Sequence, residues 1–162
     1  MKPDLLKVLL AADDPKACEH PPTFDWSREI ALVRDMIPGL EGITGQTLEI
    51  DDNVQDASFF TDLFIRDKEA VAEGSLRILR NTVLAIRFSS FGRLFTVWSA
   101  CRDERQLAPN LTDQVIQFVA SKGNTYVDGD SLEETYSGAN PHLQGVTWGI
   151  RRSEERRVGK EV

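Results

Sequence analysis

Four side chains in this 162-residue chain have the chemistry of metal ligands: Cys18, His20, Cys101 and His142. Cys18 and His20 stand two apart, and could clip an ion only if Cys101 and His142 met them from far along the chain. No Cys-x-x-Cys or His-Glu-x-x-His pair is present, so the spacing predicts neither a metal site nor a cofactor. The acidic run Asp128-Gly129-Asp130-Ser131-Leu132-Glu133-Glu134 places oxygens at positions 1 and 3 of a calcium loop. It then fails, with Leu132 at position 5, Glu133 at position 6 and Ala139 at position 12. The same run suits a helical turn capped by Asp130 or Ser131, with two glutamates in its first turn. Gly39, Gly42 and Gly45 lack the following Lys-Ser/Thr of a phosphate loop and read as a turn region. Gly-x-Ser-x-Gly is absent, and both histidines sit beside proline. No catalytic residue is therefore assigned, and the sequence leaves open whether the protein is an enzyme.

What remains is a set of aromatic and arginine side chains, the types enriched at binding hot spots. Arg87 and Arg93 are expected to flank a hairpin tip at Phe91. The stretch Tyr136–His142 reads as a polar loop with an aromatic anchor, and Trp148 follows it. The candidate binding residues are thus Arg87, Phe91, Arg93, Tyr136, His142 and Trp148. They fit either a protein interface or a small-molecule cleft near Arg87, Tyr136 and His142. The same rings, with Tyr126, would serve equally as core or half-buried sheet.

The elements that must position them follow from periodicity. A helix is expected over Pro3–Ala11, ended by Asp13-Asp14-Pro15, and a linker over 16–23. Asp25 can cap a second helix over Trp26–Ile37, in which Ile30, Val33 and Ile37 share a face and Pro38-Gly39 gives the stop. Thr47–Asp51 reads as an edge strand. Ser58–Arg66 reads as a strand with Phe59, Thr61, Leu63 and Ile65 on one side. Thr82–Ala100 has the pattern of a hairpin turning at Gly92. A helix over Thr112–Lys122 follows, capped by Asn110 or Thr112 and closed by a left-handed Gly123. Thr125–Val127 and Val146–Ile150 are short strands, with a helical turn at Ser131–Glu134 between them. Strands grouped by hairpin predict an α+β fold: a mostly antiparallel sheet built on a hairpin meander, with two N-terminal helices and one crossing helix. Its core should hold Leu84, Ile86, Phe88, Leu94, Trp98, Val115, Ile116 and Val119.

Composition sets the outer limits. Hydrophobic residues make up 41% and charged residues 28%, as in folded domains, and the length suits one domain over residues 1–151. Nineteen basic against 26 acidic residues give a net charge of −7. An acidic chain without a basic run argues against nucleic acid and against anionic membrane surfaces. It favours a basic protein partner, drawn in by electrostatic steering. The pairs Asp51-Asp52 and Glu133-Glu134, expected in loops, would contribute to that field. The apolar run Leu5–Ala12 is broken by Lys7 and is too short for a membrane span or a secretion signal, so a cytoplasmic protein with reduced thiols is expected.

Two resemblances add to this. Ala85-Ile86-Arg87-Phe88-Ser89-Ser90-Phe91-Gly92-Arg93-Leu94, with Tyr136-Ser137-Gly138 and Thr147-Trp148-Gly149-Ile150-Arg151, resembles small uncharacterised bacterial α+β proteins. In size, acidity and layout the chain is similar to immunity proteins that neutralise secreted toxins. The resemblance covers Thr82–Arg151, implies a non-enzymatic protein-binding role and transfers no functional residue. Separately, Arg152–Glu161 reads RSEERRVGKE and resembles the translation of a sequencing adapter. It implies that the natural sequence departs near Arg151 and that 152–162 is a disordered tail.

Overall fold

Two helices open the chain. The first, α1 (Pro3–Ala12), starts on a proline whose missing N–H would have no partner in a first turn, and Asp4 complements the dipole there. In the second, α2 (Trp26–Thr44), the Asp25 carboxylate accepts from Arg28 N at 3.1 Å, as the sequence predicts. The expected stop at Pro38-Gly39 is overruled: α2 runs on to Thr44 and closes at Gly45, with φ 65° and its N–H on Glu41 O at 2.9 Å. An interior proline costs roughly 3 kcal/mol. The extra turn offsets this by burying Leu40 completely and packing Ile43, each side chain worth up to about 1.5–3 kcal/mol. Gly39 also lets Phe118 approach, since a Cβ there would collide with that ring.

The structure is a computed structural model that describes residues 2–17, 20–52, 59–66, 82–98 and 110–148. The sheet runs in the order β1 (Leu48–Asp51), β2 (Phe59–Arg66), β3 (Thr82–Ser89), β4 (Leu94–Trp98) and β5 (Thr125–Tyr126). All neighbours are antiparallel except β4 and β5, which α3 (Leu111–Ser121) links by a crossover that leaves them parallel. This is the expected α+β class: a meander, two leading helices and a crossing helix.

In β2 strict alternation fails at one point. Thr61 faces Phe88 but Phe59 faces Ser89, so Phe60 is the extra residue of a bulge. The bulge turns Phe60, rather than Phe59, to the side of Leu63 and Ile65. At the hairpin tip Leu94 N donates to Phe91 O at 3.1 Å across Gly92 and Arg93, with φ of 58° and 53°. Two successive left-handed residues are the pattern of a type I′ turn, whose twist matches the strands. For α3 the expected side-chain cap is absent: Asn110 adopts φ 64° and makes no side-chain cap bond. Gly123 closes the helix as expected, with φ 85°.

The main core lies between the sheet and the helix pair α2 and α3. Leu84, Ile86, Phe88, Val115 and Val119 are buried there as predicted, and Ile116 is half-buried against them. Leu94 and Trp98 are only half-buried, because alternation in β4 gives the helix side to Phe95 and Val97. A second core on the other face of β4 gathers Leu9, Val127, Tyr136, Leu143 and Trp148 under α1.

The C-terminal helical turn, α4 (Gly129–Leu132), starts earlier than expected. Asp128, not Asp130 or Ser131, is its cap, and its two oxygens accept from Ser131 N at 2.9 Å and Ser131 Oγ at 2.8 Å. The expected strand at Val146–Ile150 is reduced to a single bridge, Thr135 to Thr147. Its continuation at 149–150 and the tail at 152–162 lie outside the described residues, as do Asp67–Gly74, where the sequence suggests a helical turn, and Arg102–Pro109, where it suggests a charged loop. No helix among the described residues is long and apolar enough to cross a membrane.

Candidate functional site

A cleft of about 150 Å³ opens between α2, the β3–β4 hairpin tip and the segment after α3. Its floor is Val33, Met36, Phe60 and Phe88, which places it over the rim of the main core. Its two walls differ in charge. The α2 wall brings Glu29 and Asp35, and the opposite wall brings Arg93 from the turn and Lys122 from the end of α3. Arg93 Nε lies 3.4 Å from Glu29 Oε2, and the left-handed backbone of the turn aims that side chain across the cleft. The Lys122 ammonium sits 5.1 Å from the centre of the Phe118 ring. Asn124 Nδ2 donates to Val119 O at 3.3 Å and holds the chain that lines the far end.

A second, smaller cavity of about 40 Å³ lies on the other face, beneath α1 and beside β4. Its lining is mostly apolar, with Leu9, Phe91, Leu94 and Val127. Two buried polar atoms in its walls, Thr96 Oγ1 and Trp148 Nε1, make no hydrogen bond among the described residues. The space exceeds the roughly 10–15 Å³ that one ordered water needs.

The sequence candidates do not form one site. Arg93 lines the large cleft; Phe91 and Trp148 line the small cavity and are buried. Arg87, Tyr136 and His142 line neither. Arg87 makes a bidentate pair with the buried Asp62, Nε to Oδ1 at 2.9 Å and Nη2 to Oδ2 at 2.7 Å, and lies 5.1 Å over the Phe59 ring. Tyr136 is a pin in the second core: its hydroxyl donates to Asp13 Oδ2 at 2.6 Å and accepts from Asn140 N at 2.8 Å. Its ring lies 4.6 Å from that of Trp148. His142 is exposed on the 3₁₀ turn Pro141–Leu143, with its backbone N–H on Asn140 Oδ1 at 3.0 Å.

Among the described residues no three His, Cys, Asp or Glu side chains gather as for a metal ion; Cys18 and Cys101 lie outside them. In the acidic run, Asp128 is engaged by Ser131, and those hydrogen bonds hold its carboxyl below the usual carboxylate value. Tyr126, at the edge of the main core, is pushed up first by burial and then by the charges of Asp128, Asp113 and Asp130.

Sequence reasoning missed Trp26, Leu32, Glu29, Asp35 and Lys122. One signal was present: Leu32 lies roughly 200° round the helix from Ile30 and belongs to no core stripe. No family model matches this chain, no curated protein matches its sequence, and no solved structure matches its fold.

Proposed function

We propose that this is a non-enzymatic, cytoplasmic protein-binding domain whose partner is basic, in the manner of an immunity protein. The observation that carries this reading is the acidic unit formed by α2 and β1. Residues 25–52 hold seven acidic side chains against two arginines, and they account for most of the net charge. One of those arginines, Arg34, is already paired with Asp52 at 2.6 Å. On the same unit Trp26 is 43% exposed and Leu32 is 36% exposed, two of the large apolar side chains the fold leaves open to water. Trp26 packs edge-on to Phe24 at 6.2 Å and to Phe60 at 5.9 Å. An exposed aromatic side chain on a segment of net negative charge is the kind of surface that favours an oppositely charged partner.

The pair Asp51-Asp52 is not the free loop pair the sequence suggested. Asp51 ends β1 and Asp52 holds Arg34, whereas Glu133 and Glu134 are exposed. The test is affinity capture from the source organism on the immobilised chain, run in parallel with Trp26→Ala and Leu32→Arg. A basic protein retained by the wild type and released by both variants supports the reading. Retention of the same protein by all three overturns it.

A further inference from the structure

We infer that the cleft between α2 and the hairpin tip is a binding site for a small zwitterion with an apolar body, of the chemical class of an apolar α-amino acid. This goes beyond the protein partner, although the cleft shares Glu29, Leu32 and Asp35 with the acidic face proposed above. The cleft has the three parts such a ligand needs. Its floor is apolar, with Met36, Phe60 and Phe88, and its volume of about 150 Å³ is the size that admits a benzene ring. Its α2 wall is anionic, with Glu29 and Asp35. Its other wall is cationic, with Arg93 and Lys122.

The charges are placed to meet a ligand rather than only one another. The Arg93–Glu29 contact uses Nε alone at 3.4 Å, and among the described residues the terminal guanidinium nitrogens have no carboxylate. Asp35 and Lys122 likewise form no ion pair among the described residues. A ligand carboxylate against Arg93 and Lys122, with its ammonium against Glu29 and Asp35, satisfies both walls at once. A ligand with one charge leaves one wall unanswered, so selectivity for the zwitterion follows from the geometry.

The test is a nuclear magnetic resonance titration of the full chain with L-phenylalanine and L-leucine, and with 3-phenylpropionate and 2-phenylethylamine as single-charge analogues. The expected result is saturable binding of an amino acid, with shifts confined to amides of 29–36, 88–93 and 122–124. Each analogue should bind at least about tenfold more weakly. Arg93→Asn keeps a residue type at ease with a left-handed backbone, and it should narrow the gap between phenylalanine and 2-phenylethylamine. Glu29→Gln should do the same for phenylalanine and 3-phenylpropionate. Absence of saturation up to the solubility of either amino acid, or equal binding of all the phenyl compounds by the wild type, overturns the inference. None of these readouts involves a protein partner, so they stand or fall apart from the capture experiment.

Discussion

At Asp128 one carboxylate gives two hydrogen bonds' worth of order to the start of α4, and both go to Ser131. Asp128→Ala should cost about 1 kcal/mol of unfolding free energy, read from urea denaturation. Because the folded carboxyl is held below its usual value, its stabilisation is complete above about pH 3.9 and is lost as the pH falls through the folded value. Wild type and variant should therefore differ near neutral pH and converge in acid. Gly138 is constrained in another way: a Cβ there would collide with the Asp13 carboxylate and the Tyr136 hydroxyl. Gly138→Ala should break the Tyr136–Asp13 pin and cost about 1–3 kcal/mol, since a buried phenol would lose its acceptor. A melt unchanged by that substitution would show that the pin does not hold the second core. At this scale the sequence marked Tyr136 and Trp148 as special by type alone. It could not show their burial, because the partners that bury them, Leu9 and Asp13, come from the far end of the chain.

Among elements, the legible ones were those whose pattern is local. The hairpin was visible in the alternation of Leu84, Ile86 and Phe88 and in Gly92, and α3 in Val115, Val119 and Gly123. What escaped is set by packing between elements: the run of α2 through Pro38, the bulge at Phe60 and the choice of Phe95 over Leu94 as the inward face of β4. The cleft was illegible for the same reason, since its walls come from three separate elements. Phe88 is 2% exposed, and Phe88→Ala should cost about 3–5 kcal/mol, measured by chemical denaturation. Gly92 has φ 58°, and a Cβ there would lie 2.6 Å from that of Ala12. Gly92→Ala should thus strain the turn by about 1–2 kcal/mol and also push α1 off the hairpin. Hydrogen exchange should then speed up in α1 while α2 and α3 stay protected.

For the whole molecule the governing quantity is the uneven field of a chain with net charge −7, of which residues 25–52 carry −5. Such a field acts at a distance, and salt removes it: the Debye length falls from roughly 30 Å at 0.01 M to about 8 Å at 0.15 M. The acidic balance was the most legible property of all, because it needs no fold to be counted. The exposure of Trp26 and Leu32 on that acidic segment needed the structure. The most direct measurement is the association rate of the captured partner as a function of salt, for the wild type and for Glu29→Gln with Asp35→Asn. The wild-type rate should fall steeply with added salt, by at least about tenfold over that range, and the double variant should start lower and fall less, with dissociation nearly unchanged. A wild-type rate that ignores salt, or a double variant that associates as fast as the wild type at low salt, would contradict binding through this acidic face.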